Sequence, residues 1–136
     1  TFEKTKRVVE KNNKFTMTKP NKVSKRQYYK ELENSLVTPS PFGIGEVCYR
    51  DFESFFSGSL LFKANMDQII TWPNLYIDGE TYISHKWDFS DFDEKLDDIL
   101  THPDQYEDIA NEGQRRFRAV LTDGKGFAKH FYEMVH

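Results

Sequence analysis

Six residues in the first half of the chain have types and spacing suited to a phosphorylated ligand. Gly43 and Gly45 flank Ile44 just ahead of Glu46, Arg50 and Glu53, and Lys63 closes the apolar run that follows. Glycines at a turn let backbone approach a phosphate closely, although they also serve where only the turn is needed. If a helix is running by Glu46, then Glu46, Arg50 and Glu53 share one stripe at i, i+4 and i+7. Cys48, Phe52, Phe55 and Phe56 then form an apolar face suited to packing on a sheet. A charged stripe this near a helix start lies where free N–H groups and the helix dipole favour an anion such as a diphosphate. Arg50 can grip a diphosphate with its planar fork and stabilise a leaving nucleotide; its plainer use is as an i, i+4 partner of Glu46. Lys63 can do the same work from a strand end, or sit solvated there. As a surface ion pair, Arg50 and Glu53 would contribute less than about 1 kcal/mol.

The elements that must hold these residues can be read in order. Residues 3–12 form a weakly amphipathic helix anchored by Val8 and Val9, and 15–18 a short strand closed by Pro20. Ser24 caps a helix to about Asn34 that buries Tyr28, Tyr29 and Leu32. A strand over 36–39 ends at its prolines, the helix of 46–57 follows, and Gly58 takes its left-handed end. Residues 59–63 have the continuity of a strand buried on both faces. A short helix over 65–72 is stopped by Pro73, and Asp78-Gly79 turns into a strand over 81–84. Ser90 opens a capping box with Asp93, ahead of a stripe of Phe92, Leu96, Ile99 and Leu100. Pro103 breaks that helix; another covers about 105–121, interrupted or softened near Gly113, and a loop at 123–126 leads to a last helix over 127–135.

Such alternation predicts an α/β fold, a Rossmann-like parallel sheet with helices on both faces. Its ligand belongs outside the carboxyl ends of the strands, where the 39–46 loop and Lys63 both fall.

The run Pro41-Phe-Gly-x-Gly-Glu-x-Cys-x-Arg-x-Phe-Glu53, followed by Ser57-Gly58 and an apolar strand, resembles the C-terminal domain of GT-B glycosyltransferases. The likeness is to the glycosyl transferases group 1 and exostosin-like types, and extends more loosely over 22–110. It implies one half of a GT-B fold, a nucleotide-diphosphate sugar as donor, and Glu53 accepting two hydrogen bonds from adjacent ribose hydroxyls. It implies no metal and no other cofactor, with acceptor site and catalytic base on a missing N-terminal domain. The chain begins at Thr1, and we expect a piece of a longer two-domain protein, inactive when isolated. Glu46 and Glu53 do not keep the glutamate spacing of many retaining members, so the likeness implies no stereochemical outcome. A reading of another class is a non-enzymatic α/β module whose charged helix face meets a protein partner.

At 136 residues the chain fits one domain with a real core. Its net charge of −3 is uneven: residues 1–30 hold ten Lys or Arg against Glu3 and Glu10. We read this basic stretch, 1–21 above all, as a solvated segment meeting the rest of the protein. It lacks the interleaved aromatics of a nucleic-acid arm, so no nucleic-acid partner is expected. One cysteine, Cys48, excludes an internal disulfide and a cysteine zinc site. With no span long enough for a bilayer and no signal peptide, a cytoplasmic setting is expected. Asp91-Phe92-Asp93 is the metal–nucleotide motif of another glycosyltransferase fold, here read as a helix cap. The four histidines lack metal-ligand spacing, and His85 is kept as a weak pocket candidate. Trp72 and Trp87 are read as core or interface anchors, with stacking on a base as the other use.

Overall fold

The computed structural model of the chain describes residues 2–11, 16–17, 22–42 and 44–136. In order they form helices α1 (Phe2–Lys11) and α2 (Lys25–Glu33), strand β1 (Val37–Pro39) and helix α3 (Tyr49–Ser57). Strands β2 (Leu60–Ala64) and β3 (Ile83–His85) follow, then helix α4 (Phe92–Thr101) and a 3-10 turn (Pro103–Gln105). Helices α5 (Glu107–Thr122) and α6 (Gly124–Val135) complete the chain.

The sheet is parallel, as alternation of strand and helix requires, and its order is β1-β2-β3. Val37 lies opposite Leu60, and Phe62 opposite Ile83. Every residue of the central strand β2 is buried, as its unbroken apolar run demands. Alternate side chains enter different apolar clusters. Leu60 and Phe62 meet Val8 of α1 and Phe92, Leu96, Ile99 and Leu100 of α4. Leu61 meets Phe55 of α3, along with Met66, Leu75, Tyr76 and Tyr82. The expected stripe of α4 is therefore buried in full.

Local chemistry explains most boundaries. Ser24 accepts a hydrogen bond from Gln27 N at 3.2 Å and starts α2; of its expected apolar residues Leu32 is buried, whereas Tyr29 is exposed. Gly58 ends α3 at φ 80°, the left-handed region where a Cβ is strained.

Six expected elements differ. Helix α3 starts at Tyr49, so Glu46 is not helical. Asp51 reaches back to Cys48 N at 3.2 Å, which ties the helix start to that residue. Residues 65–72 form turns, because Asn65 Oδ1 accepts from Asp67 N at 2.9 Å and Met66 N donates to Tyr82 Oη at 3.0 Å. The box at Ser90 does not form: α4 starts after Asp91, whose Oδ1 accepts from Lys86 N at 2.7 Å. Helix α5 runs through Gly113 unbroken, and α6 starts at Gly124 because Asp123 accepts from Gly126 N at 2.9 Å. Of the expected strand at 15–18, only Thr16 and Met17 are described, and neither is in a strand.

Candidate functional site

Three loops leave the carboxyl ends of the strands: 40–48 after β1, 65 onward after β2, and 86–91 after β3. Lys63, near the carboxyl end of β2, is completely buried. Its Nζ is 3.3 Å from Asp51 Oδ2, an ion pair with both side chains shut off from water. That ammonium makes no hydrogen bond among the described residues, so the contact is close without being aligned. The ring of Phe42 lies over it, 4.8 Å from Nζ to centroid, where a desolvated cation is attracted to the π face. The solvated strand-end lysine of the sequence reading is thus replaced by an occluded one, because Asp51 supplies a buried counter-ion.

Asp51 is the hub. Its Oδ1 accepts from Ser40 Oγ at 2.5 Å and from Cys48 Sγ at 3.2 Å. Its Oδ2 accepts from Tyr76 Oη at 2.9 Å, in addition to the Cys48 N–H. Burial, and then the Asp51 charge, push the Tyr76 phenol strongly upward. Cys48, expected on the apolar face of the helix, instead stands at its N-cap and donates into this cluster. Asp51, Ser40 and Tyr76 were missed in the sequence. The available signal was that Asp51 falls on the apolar stripe, three residues after Cys48 and four before Phe55.

The other sequence candidates separate into two groups. Gly45 and Glu46 are exposed in the bend ahead of α3, and Gly43 lies outside the described residues. Gly45 has no positive φ, and a Cβ added there would meet nothing within 4 Å. The chain's own packing therefore does not demand glycine at 45. With Glu46 outside the helix, the i, i+4 pairing with Arg50 has no geometric basis. Arg50 and Glu53 come together at α2 instead. Tyr28 Oη donates to Glu53 Oε2 at 2.6 Å. Burial, and next that carboxylate, push the Tyr28 phenol up to about 12, opposed by the Arg50 charge. Arg50, Glu53 and Tyr28 form one polar cluster, and Lys63 with Asp51 forms another.

An aromatic pair roofs the second cluster. Phe42 and Trp87 stack with centroids 4.1 Å apart at 9°, and Trp87 Nε1 donates to Asn65 O at 3.0 Å. Trp72, by contrast, stacks on His130 of α6 at 4.5 Å.

His85 is buried among Phe62, Phe89 and Phe92, with Nδ1 2.8 Å from Lys86 O. Burial lowers its pKa, which suits a neutral core imidazole more than a pocket acid. Among the described residues no group of three or more His, Cys, Asp or Glu could hold a metal ion. Asp91 pairs with Lys95 at 3.4 Å and Asp93 with Arg7 at 4.0 Å, so the Asp-x-Asp carboxylates are engaged in holding α4. Among the described residues no helix is long and apolar enough to cross a membrane. Comparison with protein-family models, curated proteins and solved structures returns no match to this chain.

Proposed function

We propose that this chain is the donor-binding half of a glycosyltransferase, one Rossmann-like half of a GT-B fold with helices on both faces of its sheet. It takes a nucleotide-diphosphate sugar in the crevice outside the strand ends. The observation that carries the reading is the meeting of Arg50 and Glu53 at the Tyr28 hydroxyl, on the first turns of α3 and just past the loop that leaves the carboxyl end of β1. In open parallel sheets this end is where ligands bind. A guanidinium held there can grip a diphosphate with its planar fork. Gly45 supports the same reading, since a glycine free of internal demands leaves room for phosphate beside the backbone.

Gly45 and Arg50 then serve the diphosphate and Glu53 the ribose, while Lys63, shut off from water against Asp51, holds the floor of the site. Glu53 already accepts from Tyr28 through Oε2, which leaves Oε1 for a ribose hydroxyl. The acceptor and the catalytic base belong to a second domain, and no metal takes part. A charge-assisted hydrogen bond to a ligand is worth roughly 1.5–3 kcal/mol, about ten- to more than a hundredfold in affinity. Glu53→Gln should therefore weaken a nucleoside and its diphosphate alike, while Arg50→Ala should weaken the diphosphate more. Isothermal titration with adenosine, ADP, uridine and UDP reads both effects. Wild-type affinity in both variants would sink these two assignments. Silence of the wild-type chain toward every nucleotide would favour the non-enzymatic interaction module.

A further inference from the structure

Trp87 stands where all three strand ends meet. It follows β3 by two residues, its indole N–H donates to Asn65 O just past β2, and its ring lies on Phe42 from the loop after β1. One face is covered by Phe42 at 4.1 Å and the ring is oriented by the 3.0 Å hydrogen bond. The residue is nevertheless 45% exposed. Beneath Phe42 lies the Lys63 ammonium, 4.8 Å from the ring centroid. Cation, ring and half-exposed ring thus follow one another at the carboxyl end of the sheet.

The geometry points to Trp87 as the platform on which the nucleobase of the bound ligand stacks. This inference rests on the crevice being a nucleotide-diphosphate site. A flat π surface held by a hydrogen bond and a stacked neighbour loses little freedom when a second ring settles on it. Every base offers a π face, so such a platform is tolerant of base identity and favours the larger purines. The diphosphate chain would lead from the stacked base toward the backbone at Gly45, in the same loop as Phe42. Trp72 is engaged with His130 on α6 and takes no part.

The chain has two tryptophans, so Trp72→Phe leaves Trp87 as its only indole. In that variant ADP should quench the fluorescence saturably, UDP less tightly, and inorganic pyrophosphate not at all. Trp87→Leu should weaken ADP and UDP by roughly five- to a hundredfold in calorimetry, the usual range for losing one base–aromatic stack. Its affinity for pyrophosphate should stay at the wild-type value, which also shows that the variant is folded. ADP bound by the Trp72→Phe chain without any change in Trp87 fluorescence would overturn the platform, as would unchanged ADP affinity in Trp87→Leu. Neither result touches the diphosphate site. If the wild-type chain binds neither pyrophosphate nor any nucleotide, the donor-binding reading fails and the platform fails with it.

Discussion

At Lys63 and Asp51 the energetics turn on pairing rather than on charge alone. Each ion loses its water on burial, and their attraction offsets that loss only while both are present. Lys63→Met should lower stability by about 3–5 kcal/mol, the usual cost of stranding one member of a buried pair. Adding Asp51→Asn should recover part of it, because the amide oxygen can still accept from Ser40 or Tyr76. Urea unfolding of both single variants and the double variant tests this as a cycle. A Lys63→Met midpoint within error of wild type would mean that the ammonium contributes nothing to the cluster. Strict additivity of the two changes would mean that the charges do not interact.

Gly113 shows how an element can be placed against its own propensity. Glycine in the middle of a helix costs roughly 1 kcal/mol relative to alanine, so the sequence predicts a weak point in α5. The helix runs unbroken because it passes close to its neighbours. A Cβ at 113 would stand 2.6 Å from the Thr81 carbonyl oxygen and 3.0 Å from the Phe55 ring. Gly113→Ala should therefore destabilise by about 1–3 kcal/mol, the range for overpacking, despite its better propensity. A rise in melting temperature would show that the approach of α5 is looser than these distances. Gly126 follows related logic: a Cβ there would collide with the Asp123 carboxylate that caps α6. That contact turns the expected 123–126 loop into the first turn of a helix.

Across the whole molecule, phenols recur at the joints between elements. Tyr28 ties α2 to α3, Tyr82 bonds the turn after β2, and Tyr106 bonds Asp98 of α4. Burial is the first cause of the rise in each, with neighbouring carboxylates adding to it, and all three are pushed up to about 12. Their folded pKa values lie above the ordinary 10.0. The neutral phenol is thus favoured by folding, and its contribution is fully present below about pH 10. It is lost as pH rises through about 12. Unfolding free energy measured by urea should fall across that window, and Tyr28→Phe should make the fall shallower. A pH dependence identical in wild type and Tyr28→Phe would show that this phenol titrates normally.

The sequence by itself determined the parallel α/β class, the burial of β2, the Ser24 and Gly58 caps, and the apolar stripe of α4. Those features follow from periodicity, apolar continuity and backbone chemistry within a few residues. It also placed Lys63 and the 39–46 loop at the same end of the sheet, because alternation fixes strand direction. Only the tertiary structure decided that Asp51 turns inward and takes Lys63 with it. The same packing left Glu46 in a bend and brought Tyr28 to Glu53. Each of these depends on a partner far away in the chain: Ser40 and Tyr76 for Asp51, and α2 for Glu53. A carboxylate reads as a surface group until its donors are assembled, since burial without them is prohibitively costly. Folding supplied those donors, and the direction of that side chain was settled with them.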